Sequence, residues 1–401
     1  LLVREDARLP LVAMSAVFKA GLLAETPENN GLTKLFSRVI LKGTKSRTAE
    51  QIADQIEAVG GTIGSDAGNN SFTVAAKVMK PDLKTGLDIF ADVLLNPIAP
   101  EKAVAREKEI QLAGIKEEDE EVTNVARNLM RANLFPGHPY GLRGTGTPET
   151  VAKLTQADLL DFHKQYVVGK NCVIAIFGDV KATEIKKLVE AELGKMPAGT
   201  PALVEVKPAA PLERSLSVAE QKKKEQAILM VGYRGTDMFD PDGYALQLID
   251  EASSDLGSRF FVRIREKMGL AYFVGSSQTM GLVPGPFIFY LGTSPEKVDA
   301  VRVELLDEID KLSREGLTAE ELARAKEKFI GQQEIRNQSE DAFAYASALD
   351  ELYGLGYAHY RELKEKVNAV TLDDIKRVAA KFFHEQPNVI ATVRPAENKT
   401  N

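Results

Sequence analysis

Histidine and cysteine, the side chains most often used for metal binding and nucleophilic catalysis, are scarce in this sequence. Its 401 residues contain one cysteine, Cys172, and four histidines. No two histidines have the spacing of a metal motif: His138, His163, His359 and His384. The sequence also lacks a G-x-S-x-G elbow and the glycine patterns of phosphate-binding loops. A Ser-His-Asp arrangement assembled from distant residues stays open, but no local motif indicates a self-contained catalytic site.

The elements that would position functional residues occur twice along the chain. Residues 151–177 recur as 367–393, a shift of 216 residues. Roughly two identities would be expected by chance over such a window. Six are found: Val151/Val367, Thr155/Thr371, Asp158/Asp374, Val173/Val389, Ile174/Ile390 and Ala175/Ala391. A second pair, 101–110 and 321–330, recurs in the same order at a shift of 220. The pattern indicates a tandem duplication.

A proline-rich stretch separates the two copies. Residues 196–214 have no helical period, which is typical of a semi-extended linker. We therefore predict domains at 1–195 and 215–401. Each half mixes strands such as Ser71–Met79 with helices such as 156–167, the latter preceded by a Thr155/Asp158 capping box. The predicted class is α+β, with two homologous layered α/β domains that together can form a clamshell.

One predicted helix carries an informative pattern. Residues Gly31–Gly43 read GLTKLFSRVILKG and are followed by Thr44. This frame resembles the active-site helix of the insulinase/pitrilysin metallopeptidases, especially the processing-peptidase branch. The segments 81–110, 135–167 and 258–274 resemble that family too, in the same order. The resemblance implies one half of a metallopeptidase-like clamshell.

In that family the helix spells H-x-x-E-H: its two histidines bind zinc and its glutamate is the general base. Here the corresponding positions are Lys34, Ser37 and Arg38. The family's third ligand, a later glutamate, corresponds to Gly114, although Glu107 on the same helix is retained. Lysine and arginine bring positive charge where a dication would bind, and glycine has no side chain. We expect neither catalytic residues nor zinc in this chain alone.

The second half keeps a pair that the resemblance implies to be functional. Arg265 and Tyr272 match an arginine and a tyrosine, seven residues apart, that hold the peptide and the developing oxyanion in the family. A guanidinium can bind a carbonyl or carboxylate as a fork, and a phenol can donate to a tetrahedral oxygen. The alternative is structural: Arg265 pairs with a neighbouring carboxylate and Tyr272 packs within a strand.

Some members of this family work as heterodimers that divide these two motifs between subunits. The resemblance therefore implies a non-catalytic subunit that binds peptides or unfolded proteins beside a homologous, zinc-containing H-x-x-E-H partner. The loop Ser276–Pro286 is shorter and less glycine-rich than the presequence-handling loop of processing peptidases, which favours broader peptide substrates. The alternatives are a scaffold protein or a stand-alone peptide-binding protein of the same fold.

Composition excludes several other classes of protein. With 51 basic and 58 acidic residues the formal net charge is −7, which argues against nucleic-acid binding. The sequence contains no run of 18 apolar residues, so no segment is predicted to be a membrane anchor. A chain that starts at Leu1 and has a single cysteine is compatible with a mature periplasmic protein, and a trimmed cytoplasmic one is the alternative.

Overall fold

Two five-stranded sheets organise the chain. A computed structural model describes residues 1–201, 203 and 205–396. The first sheet contains β1 Leu2–Glu5, β2 Leu11–Lys19, β3 Thr62–Ala67, β4 Ser71–Met79 and β5 Cys172–Gly178. The second contains β6 Leu216–Lys222, β7 Ala227–Arg234, β8 Phe273–Gln278, β9 Pro286–Thr293 and β10 Val389–Pro395.

The two sheets have the same topology. The first has the order β1-β5-β2-β4-β3 and the second β6-β10-β7-β9-β8, so each strand has a counterpart at the same place. The β1–β5 and β10–β6 pairs are parallel, whereas the other pairs are antiparallel. This correspondence confirms the predicted α+β class and its two homologous units.

Helices cover the sheets. In the first half of the chain they are α1 Leu32–Val39, α2 Ala49–Ala58, α3 Leu83–Leu95, α4 Glu101–Glu120, α5 Val122–Leu134, α6 Pro148–Lys153, α7 Gln156–Tyr166 and α8 Ala182–Leu193. In the second half they are α9 Gly243–Ser253, α10 Val298–Glu315, α11 Ala319–Arg336, α12 Glu340–Tyr353, α13 Leu363–Ala369 and α14 Leu372–Phe383. Helices α7 and α14 both start with a complete capping box, at Thr155/Asp158 and Thr371/Asp374, as the repeat predicts.

The long helices α4 and α11 correspond at a shift of 218 residues rather than the 220 predicted. Lys108 of α4 donates to the carbonyls of Ala152 and Leu154, at 2.6 and 2.7 Å. Lys326 of α11 donates in the same way to two carbonyls before α14, those of Asn368 and Val370, at 2.9 and 2.6 Å. A two-residue error rotates a helix by about 200°, so the predicted alignment had superposed a buried face on an exposed one.

The compact units are not the same as the two halves of the chain, because one helix of each half packs with the other half's sheet. The first unit comprises Leu1–Ile115, Arg143–Glu205 and Glu334–Arg361, and therefore includes α12. The second comprises Lys116–Leu142, Val206–Gln333 and the segment that begins at Glu362, and includes α5.

The first unit uses α12 to cover one face of its sheet. Phe343, Ala344 and Ala348 form an apolar cluster with Ala175 and Phe177. The rings of Phe343 and Phe177 are 5.5 Å apart.

The second unit uses α5 in the equivalent way. Helix α5 packs on β7 and β10. It comes so close that a Cβ at Gly232 of β7 would collide with the sulfur of Met130. Each exchanged helix is thus an integral layer of the unit it joins.

The predicted linker, 196–214, contains no helix or strand among its described residues, and its positions 202 and 204 lie outside them. Within 1–201, 203 and 205–396, no helix is both long enough and apolar enough to cross a bilayer.

Candidate functional site

Helix α1 carries the positions at which the sequence resemblance predicts the zinc motif. Its apolar side chains are buried against the first sheet: Leu32, Leu35, Phe36 and Val39. The carboxylate of Glu25 holds the start of the helix by accepting hydrogen bonds from the backbone N–H groups of Gly31 and Thr33, each at 2.8 Å. Burial raises the pKa of Glu25, an effect that these hydrogen bonds only partly offset. The sequence pattern gave no sign of this contact.

All three motif positions on α1 make contacts within the first unit. Lys34 Nζ lies 3.1 Å from Asp66 Oδ1 of β3. Ser37 is buried, and its hydroxyl donates its proton to the carbonyl of Lys34 at 2.8 Å. Arg38 Nε lies 3.0 Å from Glu107 Oε2 of α4. The residues that replace the motif therefore act as hydrogen-bonding and ion-pairing groups.

Glu107 links α4 to α1 and the turn after it. Its buried side chain pairs with Arg38 through one oxygen and with Lys42 Nζ, also at 3.0 Å, through the other. Gly114 lies seven residues further along α4, about two helical turns on and therefore on the same face. A Cβ at Gly114 would meet nothing within 4 Å, so the position predicted to correspond to the family's third ligand is open space.

These residues do not fit a zinc ion. Zinc requires thiolate, neutral imidazole or carboxylate ligands, and Glu107 is the only such group among Lys34, Ser37, Arg38, Glu107 and Gly114. Its oxygens already bind two cations. Across the part of the chain that the structure describes, no group of three or more histidine, cysteine, aspartate or glutamate side chains is arranged to hold a metal.

Replacing Glu107 with alanine should destabilise the protein, because it leaves Arg38 and Lys42 facing each other without a counter-ion. Breaking a buried pair costs about 3–5 kcal/mol, and the partial exposure of both cations reduces our expectation to about 2 kcal/mol. Urea unfolding of the Glu107→Ala variant measures the loss. Glu109→Ala, at an exposed position of the same helix, is the matched control and should change stability by less than about 0.5 kcal/mol. Equal stability of the two variants would contradict this role for Glu107.

Arg265 and Tyr272 lie in the second unit, at the end of a π-helical segment and just before β8. The segment is Phe261–Lys267, and the guanidinium carbon of Arg265 stands 4.6 Å from the centre of the Phe261 ring. Tyr272 is 52% exposed, while its backbone N–H donates to Gly292 O at 2.8 Å. Among the described residues, Arg265 forms no ion pair and the Tyr272 hydroxyl no hydrogen bond. Among the described residues Arg265 has no carboxylate partner, and Tyr272 keeps about half of its surface exposed.

The neighbouring arginines, Arg263 and Arg259, form ion pairs with carboxylates of α10 and α11. Arg263 Nη2 lies 2.7 Å from both Glu304 and Asp307 of α10. Arg259 Nε donates to Glu321 of α11 at 2.9 Å. Arg265 is therefore the arginine of this segment whose guanidinium remains available to a ligand. Sequence reasoning singled out Arg265 but could not separate it from its paired neighbours or find the Phe261 contact.

Two of the histidines have structural contacts. His163 Nε2 donates to the carbonyl of Leu94 at 2.7 Å. His138 Nδ1 accepts from the backbone N–H of Tyr140 at 3.1 Å, within the turn that precedes α6. Burial lowers the pKa of both imidazoles and so favours their neutral form.

Comparisons with family models and with known proteins all identify the same peptidase family. The model of Insulinase (Peptidase family M16) matches residues 2–147, and that of the Peptidase M16 inactive domain matches residues 153–329. The uncharacterized zinc protease YmxG of Bacillus subtilis is 26% identical over 388 residues, which cover 96% of this chain and 94% of that protein. The mitochondrial-processing peptidase subunit beta of Blastocladiella emersonii is 26% identical over 399 residues, covering 94% and 83%.

A solved structure shows the same fold. The peptidase M16 inactive domain from Pseudomonas fluorescens superposes with a TM-score of 0.92 at 23% identity, covering 100% of this chain and 96% of that one. The two family models cover successive parts of the chain and together account for most of its length. The chain belongs to the insulinase family, peptidase family M16.

Proposed function

We propose that this chain is the non-catalytic subunit of a heterodimeric zinc metallopeptidase. In this proposal a homologous partner with an intact H-x-x-E-H helix holds the zinc, and this chain contributes Arg265 and Tyr272 to peptide binding. One contrast carries the proposal. The predicted zinc-motif positions are occupied by Lys34, Ser37 and Arg38, which do not fit a metal, whereas Arg265 and Tyr272 form no side-chain ion pair or hydrogen bond with the described residues.

The free groups suit the proposed role chemically. The fixed guanidinium fork of Arg265 can bind a peptide carbonyl or carboxylate through two N–H groups. The Tyr272 phenol can donate one hydrogen bond to the oxygen that gains charge when a peptide bond is attacked. Stacking on Phe261 limits the rotamers of Arg265, so less conformational entropy is lost on binding. Both groups would act on a reaction powered by the partner's zinc.

The relatives support a subunit role and leave the substrate to be proposed. One relative is named as a subunit of a processing peptidase, and others are named zinc proteases. In this chain β8 and β9 are joined by residues 279–285 only. A connection this short favours general peptides over organelle presequences. We propose a periplasmic location for the pair, with which the single cysteine of this chain, Cys172, is compatible.

The test is peptide cleavage by the chain alone, by an H-x-x-E-H homologue encoded beside it, and by the two co-expressed. We expect the subunits to co-purify and the pair to cleave peptides far faster than either alone. A partner whose activity is unchanged by this chain would contradict the proposal and favour the scaffold role.

A further inference from the structure

Three cationic side chains form a row along one side of α1 and the turn after it. This cationic row consists of Lys34 and Arg38, one turn apart on α1, and Lys42 in the turn after it, which shares the partner Glu107 with Arg38. Their side chains are 33%, 32% and 39% exposed. The row is partly covered by protein yet open to a ligand from solvent.

The row keeps an excess of positive charge. In the described part of the chain two carboxylates pair with its three cations, those of Asp66 and Glu107. The Asp66 side chain is 77% exposed, so its pair with Lys34 is weak and easily exchanged for another anion. Glu107 is buried and pairs with both Arg38 and Lys42, whose side chains nevertheless remain partly exposed to solvent.

Arg38 has the geometry to receive a carboxylate. It binds Glu107 through Nε, and its two terminal nitrogens have no hydrogen-bond partner among the described residues. A guanidinium held at one edge presents the other as a two-pronged donor. Further along the α4 face that carries Glu107, a Cβ at Gly114 would meet nothing within 4 Å.

We infer that the cationic row is a binding site for a single carboxylate of a peptide. This inference rests on the proposed function, since it names the class of peptide that the subunit receives. The row has three cations and the chain a net charge of −7, which suits one carboxylate better than a nucleic acid. For the same reason the row disfavours arginine-rich peptides. The carboxylate is supplied either by the peptide's C-terminus or by an aspartate or glutamate side chain.

Titration of three synthetic peptides onto the full chain distinguishes these sources. The first is a capped, amidated peptide with one central glutamate, the second its glutamine twin, and the third the twin with a free C-terminal carboxylate. We expect the first or the third to bind about tenfold more tightly than the neutral peptide, as for a charge-assisted hydrogen-bonded contact. The preference should shrink as salt is raised, because the row is partly exposed.

Variants then locate the effect. Lys34→Gln combined with Arg38→Gln should abolish the preference while weak binding of the neutral peptide persists. Arg38→Lys, which keeps the charge and is a milder change, should retain only part of it. Lys186→Gln, which removes an exposed charge from α8 of the same unit, is the matched control and should leave it intact.

The outcomes separate the inference from the proposal on which it rests. Equal affinity for all three peptides, or a preference that survives in the Lys34/Arg38 variant, overturns the carboxylate site alone. Failure of every peptide to bind counts against this chain as a peptide-binding subunit as well.

Discussion

Replacing Arg265 with alanine and Tyr272 with phenylalanine together should lower kcat/KM of the heterodimer by about 100- to 1000-fold, the effect of losing transition-state hydrogen-bond donors. The partner's zinc content should not change, because neither residue has a role in metal binding. Arg265 is exposed and forms no ion pair among the described residues, and Tyr272→Phe keeps the ring of a residue that is 52% exposed, so neither substitution removes a buried ion pair or hydrogen bond. Thermal unfolding of the pair should therefore be nearly unchanged, which separates a functional loss from a folding defect.

A matched double variant controls for the chemistry of the two substitutions. Arg314→Ala with Tyr357→Phe removes the same groups from exposed positions outside the π-helical segment and β8. The control should keep full activity. If the Arg265/Tyr272 variant were as active as this control, the catalytic contribution in trans would be excluded and Arg265 and Tyr272 would be surface residues only.

Expressing the chain as two separate fragments, 1–195 and 215–401, should abolish cooperative folding of each. The first fragment keeps β2 and β5 but loses α12, so Ala175 and Phe177 are exposed. A buried phenylalanine such as Phe343 contributes roughly 3–5 kcal/mol. The net stability of a domain is only about 5–15 kcal/mol. The second fragment loses α5 in the same way.

Mixing or co-expressing the two fragments should restore folding, because each supplies the helix that the other lacks. The control is the full chain cut by a protease within 196–214, which should keep its circular dichroism spectrum and unfold as one species. Two fragments that each unfold cooperatively, with midpoints within a few degrees of the intact chain, would contradict the exchange. They would instead support the contiguous domains predicted at 1–195 and 215–401.

Local rules were enough to predict much of the fold. The capping boxes at Thr155 and Thr371 and the alternating strand Ser71–Met79 appear where the sequence predicts them, because each depends on neighbours in the chain. The shift between α4 and α11 was predicted wrongly. Lysine, glutamate and alanine recur on solvent-facing helix surfaces, so their identities match in more than one register.

Other features depend on contacts that no local pattern encodes. The exchange of α5 and α12 depends on which sheet each helix packs against. The apolar pattern of a helix indicates that it packs on a sheet, but it does not indicate which of the two sheets. Likewise the sequence resemblance was enough to predict that Lys34 and Arg38 replace zinc ligands. That Asp66 and Glu107 pair with them is a property of the fold, since these partners lie 32 and 69 residues away.

Metal analysis of the purified chain, alone and with its H-x-x-E-H partner, tests the central claim most directly when the same samples are assayed for peptide cleavage. After dialysis with zinc we expect the chain alone to contain less than about 0.1 zinc per molecule and to show no turnover. We expect the heterodimer to contain about one zinc and to cleave the peptide. The substitution Arg38→Gln should not create a site in the chain alone, because removing one charge supplies no ligand. One zinc bound per molecule of this chain alone, together with cleavage in the absence of any partner, would contradict the account.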